Sequence, residues 1–151
     1  MNALPHHYRV RGTGRITGDV QLTADRLTVL ASASPAEFGG PGDRWSPETL
    51  LVGAVADCFI LTFRAIAKGS SLPWISLDCQ VTGTLDQVGR VMQFTAFELT
   101  AHLVVPAGDD ARARHLLEKA ERNCLITSSL KASVALQAKV TIAAAAEETQ
   151  A

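Results

Sequence analysis

The most constraining feature of this 151-residue chain is a long apolar segment that starts directly after a cluster of helix-start signals. Ser46, Pro47 and Glu48 supply an N-cap hydroxyl, a proline at the first helical position and an acid in the first turn. They predict a helix to about Lys68, ended by Gly69. Its apolar residues surround the axis almost completely: Leu50, Leu51, Val52, Ala54, Val55, Ala56, Phe59, Ile60, Leu61, Phe63 and Ile66. A helix with so little polar face is expected to be buried at the centre of the fold.

This apolar segment is not expected to cross a membrane. Its longest candidate stretch, LLVGAVADCFILTF, contains Asp57 and falls short of the roughly 20 apolar residues that a spanning helix needs. The start of the chain, MNALPHHYRVRG, lacks the pattern of a secretory signal. With 14 Lys and Arg against 15 Asp and Glu the formal charge is −1, which argues against electrostatic binding of nucleic acid. We therefore expect a cytoplasmic protein with neither a membrane nor a nucleic acid as partner.

Three short β-prone segments precede the helix, within residues 8–13, 18–22 and 27–32. Glycines and a polar tripeptide separate them, which predicts an antiparallel meander. Residues 33–45 are dense in Gly and Pro and are predicted to form a loop that leads into the helix.

The segments after the helix alternate between strand and helix patterns. They are two long strands at 75–85 and 91–105 joined by a turn at 86–90, a charged helix opened by Asp109 and Asp110 that runs to about Arg122, a short turn at 124–130 and a last strand at 133–143. The tail from about residue 144 has nothing to pack against and is expected to fray. With neither a repeat nor a linker, the chain is predicted to be one α+β domain over residues 1–151 with an antiparallel sheet.

Three cysteines carry the candidate chemistry: Cys58, Cys79 and Cys124. This odd, sparse set without a C-x-x-C pair is unlike a disulfide scaffold or a zinc site, so no metal is expected. Cys58 lies within the apolar helix, where a lone cysteine is ordinarily a small core residue. Cys124 lies at a junction between elements. This placement would let its sulfur meet Cys58 and form a disulfide with it, as a resolving cysteine does with an oxidised partner. Cys79 is interpreted as a strand residue.

The segment PGDRWSPETLLVGAVADCFILTFRAIA resembles the central motif of the OsmC/Ohr family of thiol-dependent hydroperoxide reductases. In that motif a Pro-Glu helix start, here Pro47 and Glu48, precedes the first cysteine, here Cys58. The later segment AERNCLITSSL resembles the second-cysteine segment and supplies Cys124. The resemblance covers nearly the whole chain. It implies an OsmC-like fold, with an antiparallel sheet around a long buried helix, in an intertwined homodimer.

The resemblance also implies a thiol peroxidase that needs no cofactor. The Cys58 thiolate would attack the distal oxygen of an organic hydroperoxide, release the alcohol and become a sulfenic acid, which Cys124 would convert to a disulfide. A reducing dithiol, for which a lipoyl-type dithiol is one option, would then restore both thiols.

The nucleophilic cysteine is expected to need a cation, because burial raises the pKa of a thiol above its usual value of about 8.5. The resemblance implies an arginine held by the helix-start glutamate, here Glu48. Arg15, in GTGRITGD, and Arg44, in GDRW, both remain open for this role. We favour Arg15, because Arg44 has an alternative partner in Asp43.

Helix geometry favours a two-fold partner. Glu48 and Cys58 are ten residues apart, about 15 Å along a helix at 1.5 Å per residue, which is too far for one arginine to contact both. Two antiparallel copies of the helix would bring Glu48 near the partner subunit's Cys58.

An apolar substrate pocket is predicted to use four aromatic side chains, namely Phe38, Trp45, Phe59 and Phe63. One position departs from the family pattern, since the family often has proline directly after its second cysteine and this chain has Leu125. Two other functions remain open: a non-catalytic protein that binds an apolar small molecule, and a redox sensor that forms the Cys58–Cys124 disulfide with negligible turnover.

Overall fold

The computed structural model describes residues 1–108 and 110–144, and the chain forms two compact units, residues 1–51 and 52–151. The α+β class predicted from the sequence is confirmed, with two three-stranded sheets and three α-helices among the described residues. Asp109, and residues 145–151 of the tail that was expected to fray, lie outside the described residues. The prediction of a single domain stays a prediction.

The first unit carries the predicted antiparallel meander. Its strands are shorter than the sequence pattern indicated and run in the order β1 (Arg11–Thr13), β2 (Val20–Thr23) and β3 (Leu30–Ser32). The loop that follows contains a 3₁₀ turn at Ala36–Phe38. The Ala33 N–H donates to the Trp45 carbonyl at 2.9 Å, which closes the base of the loop just before the long helix starts.

The long helix α1 (Pro47–Gly69) starts at the predicted cap. The Thr49 N–H donates to Ser46 Oγ at 3.1 Å, and the Ser46 N–H donates to Thr49 Oγ1 at 2.8 Å. The two residues thus form a reciprocal capping box in which threonine takes the place of the usual glutamate. Glu48, which lies between them, is left without a capping role and is available for other contacts.

The end of α1 differs from the prediction in one respect. Gly69 is the last helical residue, but the left-handed conformation that closes the helix belongs to Ser71, whose φ is 52°. The Leu72 N–H donates to the Ala67 carbonyl at 2.9 Å and the Ser71 N–H donates to the Lys68 carbonyl at 3.2 Å. This is a Schellman closure, a motif that usually places glycine where Ser71 stands.

The second unit holds a sheet in the order β4–β5–β6. Strands β4 (Ser76–Val88) and β5 (Val91–Val105) form a long antiparallel hairpin around Gly89, whose φ is 63°. The prediction of a wholly antiparallel sheet is wrong for β6 (Ser133–Ile142), which pairs with β5 in parallel. Two helices, α2 (Asp110–Arg122) and α3 (Leu125–Ser128), form the crossover that parallel neighbours require.

The core of the second unit lies between the sheet and the helices. One stripe of α1, at four-residue spacing, is fully buried and consists of Val55, Phe59, Phe63 and Ala67. The Phe63 ring contacts Trp74 edge to face, with 5.5 Å between ring centroids. The sheet contributes Phe97, Leu99, Ala101 and Leu103, and α2 contributes Ala113, Leu117 and Ala120.

The other apolar side chains of α1 keep partial or full solvent access within the single chain, and Leu61 is about half exposed. By length and composition alone, α1 is long and apolar enough to cross a membrane, a test that the core helices of soluble proteins also pass. The sequence estimate of its apolar length was too short, because an 18-residue window of α1 remains apolar on average although it contains Asp57.

The close approach of α1 to the sheet at Gly83 gives a test of this packing. A Cβ at Gly83 would lie 2.8 Å from Val52 Cγ2 and about 3 Å from the rings of Phe94 and Phe97. We expect Gly83→Ala to lower the free energy of unfolding by about 1–3 kcal/mol, measured by urea denaturation. Gly69→Ala is the matched control, because no atom lies within 4 Å of its added Cβ. Equal stability of the two variants would contradict the packing.

Candidate active site

Cys58 opens into a cleft of about 520 Å³ between α1 and the segment around α3. The walls of the cleft are mainly apolar and consist of Ala54, Asp57, Cys58, Leu61, Thr62, Ala65, Asn123, Leu125 and Ile126. Cys58 lies next to the buried stripe of α1, so its side chain is only partly buried. The cleft therefore presents one sulfur of α1 to an apolar space large enough for a small organic molecule.

Cys124 is held firmly at the entry to α3. Its backbone is extended, with φ −67° and ψ 119°. Its carbonyl accepts hydrogen bonds from the Ser128 N–H at 3.0 Å, from Ser128 Oγ at 2.7 Å and from Thr127 Oγ1 at 3.3 Å. Three donors on one carbonyl fix the main chain of Cys124, and the residue is buried.

The two sulfurs interact directly. Burial acts to raise the pKa of the Cys58 thiol, but the Ile126 N–H, the Cys124 thiol, the Thr62 hydroxyl and the Leu125 N–H all donate hydrogen bonds to this sulfur. Together they outweigh burial, so the pKa of Cys58 lies below its ordinary value. The Thr62 contact joins Cys58 Sγ and Oγ1 over 3.9 Å, one helical turn apart on α1.

The pKa of Cys124 moves in the opposite direction. Burial raises it most, and the neighbouring Cys58 raises it further, against the N–H and hydroxyl of Thr127, which act to lower it. Cys58 is therefore the sulfur that ionises first, and Cys124 keeps its proton and donates it in a hydrogen bond. This is the division of roles that a nucleophilic cysteine and its resolving partner require.

The surroundings of Cys79 raise the pKa of its thiol instead of lowering it. It lies half-buried on the inner face of β4, where burial, the charge of Asp78 and that of Cys124 raise the pKa of its thiol to about 11. Cys79 therefore remains a neutral thiol near pH 7, in line with its interpretation as a strand residue.

The two candidate arginines differ in their surroundings within the first unit. Arg44 Nε lies 3.0 Å from Asp19 Oδ2, and its Nη1 lies 3.1 Å from Asp43 Oδ2. The hydrogen bond to Asp19 and the charges of both carboxylates raise the pKa of Arg44. Arg15 is exposed in the connection between β1 and β2 and has no hydrogen bond or ion pair within residues 1–108 and 110–144.

Glu48 has an unusual environment. Its Oε2 atom is buried and finds no hydrogen-bond donor in the described part of the chain. A carboxylate oxygen in this state is costly, because it has lost water without gaining a partner. Glu48 is therefore suited to receive a donor from outside the single chain.

The four aromatic side chains that were predicted to line one pocket do not line the cleft beside Cys58. Phe59 and Phe63 are fully buried in the core of the second unit and do not line the cleft beside Cys58. Their four-residue spacing places them on the face of α1 that packs inward. Phe38 and Trp45, each about half exposed, belong to the first unit, where Phe38 lines a separate cavity of about 490 Å³.

The contacts that act on Cys58 include groups that the sequence did not identify. Thr62 is marked only by its position four residues after Cys58, on the same helix face. The N–H groups of Leu125 and Ile126 leave no signal in side-chain chemistry, because every residue except proline carries one.

In the described part of the chain no three His, Cys, Asp or Glu side chains are grouped so as to hold a metal ion.

Comparisons with known proteins show what this chain is similar to. A family model described as OsmC-like protein matches residues 40–139. The uncharacterized protein YmaD of Bacillus subtilis is 26% identical over 142 residues, which is 91% of this chain and 95% of that protein. An organic hydroperoxide resistance protein of Xanthomonas axonopodis pv. citri is 25% identical and covers 75% of this chain and 79% of its own length. The solved structure of an OsmC-like protein of unknown function from Vibrio cholerae has a TM-score of 0.82 at 15% identity, covering 89% of this chain and 100% of that one.

The ionisation order of the three cysteines is open to measurement. At pH 7 we expect iodoacetamide to alkylate Cys58 before Cys124 or Cys79, because the thiolate is the reactive form. Cys79 should react readily only as the pH approaches 11. The test is residue-resolved mass spectrometry of the alkylated protein across this pH range, and earlier modification of Cys79 or Cys124 would contradict the order.

Thr62 gives a matched pair of variants for the same measurement. Thr62→Val removes the hydroxyl and should raise the pKa of Cys58 by up to about one unit, whereas Thr62→Ser keeps the donor and should leave it unchanged.

Proposed function

The chain belongs to the OsmC-like protein family, and on that basis we propose that it is a thiol-dependent peroxidase that reduces organic hydroperoxides. The observation that carries the proposal is the interaction of Cys58, which lines the apolar cleft, with the buried Cys124. The pKa of Cys58 is lowered and that of Cys124 is raised, and a hydrogen bond between the two thiols contributes to both shifts. A relative named for organic hydroperoxide resistance supports the same class of substrate.

The proposed reaction has three steps. The Cys58 thiolate attacks the distal oxygen of the hydroperoxide, the O–O bond breaks, and the alkoxide takes a proton and leaves as the alcohol. Cys58 is then a sulfenic acid, and Cys124 attacks its sulfur to form a disulfide with release of water. A dithiol reductant exchanges with this disulfide, delivers two electrons and two protons, and becomes a disulfide itself.

The shape and polarity of the cleft favour an organic substrate. Leu61, Ala65 and Ile126 supply apolar wall, and these surfaces gain from contact with the alkyl part of a hydroperoxide. The polar end of the substrate would lie at Cys58 and Thr62. Hydrogen peroxide has no apolar part and would gain nothing from these walls, so we propose that the protein prefers organic hydroperoxides.

We also propose that the protein works as a homodimer with α1 at the interface. Two observations support a second copy. Apart from its buried stripe, α1 leaves apolar side chains such as Leu61 accessible, and surfaces of this kind mark protein contacts. The buried Oε2 of Glu48 also lacks a donor in the described chain.

Within this arrangement, we propose Arg15 rather than Arg44 as the arginine that Glu48 holds. Arg44 is already paired with Asp19 and Asp43, whereas Arg15 is exposed and has no partner among the described residues. Moving Arg44 would break two ion pairs, but moving Arg15 breaks none.

The peroxidase proposal is tested by intact-mass spectrometry of the reduced protein after one equivalent of cumene hydroperoxide. Wild type should lose two hydrogen atoms as the disulfide forms, because both cysteines react. Cys124→Ser should instead gain one oxygen atom as a sulfenic acid, and Cys58→Ser should not react. Cys79→Ser is the matched control and should behave as wild type.

Turnover with a dithiol such as dihydrolipoamide then separates the alternatives. Continuous peroxide consumption supports the peroxidase. A disulfide that forms once without sustained consumption would indicate a redox sensor, and an unoxidised Cys58 would leave the small-molecule binding protein.

The shared site in the dimer is tested by mixing two inactive variants, Glu48→Gln and Cys58→Ser. If Glu48 acts on the partner subunit's Cys58, half of the dimers after random exchange are mixed, and each has one intact site, so about a quarter of wild-type activity should return. Persistent inactivity of a mixture shown to contain mixed dimers would overturn the shared site. In the same assay, Arg15→Ala alone should lower kcat/KM by about 100-fold or more, and Arg44→Ala is its control.

A further inference from the structure

We propose that Asp57 makes the cleft beside Cys58 selective by charge: the cleft accepts hydroperoxides whose organic part is uncharged and repels those that carry a carboxylate. The inference rests on the proposed function, because it names the class of organic hydroperoxide that the peroxidase would take. It assigns a role to a side chain that takes no part in the chemical steps.

The first argument concerns the charges on the walls of the cleft. Asp57 is the only Asp, Glu, Lys, Arg or His among the described residues that line it. The other lining residues are apolar, apart from the hydroxyl of Thr62, the amide of Asn123 and the thiol of Cys58. When Cys58 ionises, the walls carry two negative charges and no positive one. A substrate with a carboxylate would bring a third negative charge into this space.

The second argument is that nothing in the described part of the chain neutralises Asp57. The residue is exposed and makes neither an ion pair nor a hydrogen bond there. On the same face of α1 the next cation is Arg64, seven residues or about 10 Å further along the axis, which is about one Debye length in 0.1 M salt. Neither Arg64 nor Arg122, the neighbour of Asn123, lines the cleft.

The third argument concerns the direction of the Asp57 side chain. Asp57 and Cys58 are consecutive in α1, and consecutive helical side chains point about 100° apart. The carboxylate therefore flanks the cleft and is not directed at the sulfur, so it acts on the incoming substrate rather than as a base. Two like charges about 4–8 Å apart in water repel each other enough to change a rate by about twofold to fivefold.

The arginine of the proposed dimer does not cancel this charge. In that arrangement Glu48 holds Arg15, so the positive charge of the guanidinium is matched by the carboxylate that binds it. Asp57 and the ionised Cys58 then leave the site with a net negative charge. The selectivity is thus expected in the single chain and in the dimer alike.

The first experiment compares two alkylating reagents at Cys58, resolved by residue. Iodoacetamide is neutral and iodoacetate is anionic, but both react with the same thiolate, so the ratio of their rates is independent of the pKa of Cys58. Asp57→Asn should raise the iodoacetate rate relative to the iodoacetamide rate by about twofold to fivefold at low salt. High salt should shrink this difference. The same ratio in wild type and Asp57→Asn would overturn the inference.

Asp86→Asn is the matched control for this experiment. It changes the net charge by the same amount, but Asp86 is exposed on β4 and does not line the cleft. Asparagine also keeps the Oδ1 atom that accepts the Gln87 N–H at 2.7 Å. The control should therefore match wild type with both reagents.

The second experiment separates this inference from the proposed peroxidase. The probes are linoleic acid hydroperoxide and its uncharged methyl ester, each with a dithiol reductant. Wild type should have the higher kcat/KM for the ester, and Asp57→Asn should raise kcat/KM for the acid alone, by about twofold to fivefold. Equal consumption of both probes, unchanged by Asp57→Asn, would overturn the inference and leave the peroxidase standing. Consumption of neither probe, with the Asp57-specific alkylation shift present, would overturn the peroxidase and leave the charge selection at Cys58 standing.

Discussion

The packing of one stripe of α1 against the sheet of the second unit is the constraint on which the rest of the structure depends. Val55, Phe59, Phe63 and Ala67 recur every four residues and are fully buried. Burial of each phenylalanine alone contributes about 1.5–3 kcal/mol, so rotation of the helix about its axis is strongly opposed. Because the rotation is fixed, Cys58 and Thr62 must lie on an adjoining face, beside α3. The position of the Cys58 sulfur is thus fixed by packing on a neighbouring face of the same helix.

The two cysteine sulfurs receive different numbers of hydrogen bonds. Burial opposes ionisation of both cysteines, but the hydrogen bonds at Cys58 outnumber those that favour ionisation of Cys124. One sulfur is left as the better anion and the other as the better acid. A thiolate and a thiol in contact are the starting state for attack on a peroxide followed by disulfide formation.

The surfaces that remain unsatisfied in the single chain are consistent with the proposed dimer. The accessible apolar side chains of α1 and the buried, unpaired oxygen of Glu48 each need a complement. In the proposed dimer, the α1 helix of the partner subunit would cover these apolar side chains, and an arginine would neutralise the carboxylate of Glu48. Activation of Cys58 would then have two sources, hydrogen-bond donors within its own chain, such as the Thr62 hydroxyl, and a guanidinium at the interface.

The sequence by itself determined most of the helices and strands, and it indicated the two candidate cysteines. Ser46 and Pro47 marked the start of α1 because capping is a local property, and the residues around Cys58 and Cys124 were enough to indicate the family. Tertiary structure decided the rest. The parallel pairing of β6 depends on a crossover through α2 and α3, and the inward direction of Phe59 and Phe63 depends on which face of a nearly all-apolar helix meets the sheet. Two of the groups that lower the pKa of Cys58 are the main-chain N–H groups of Leu125 and Ile126. They have no side-chain signature, so the sequence could not identify them.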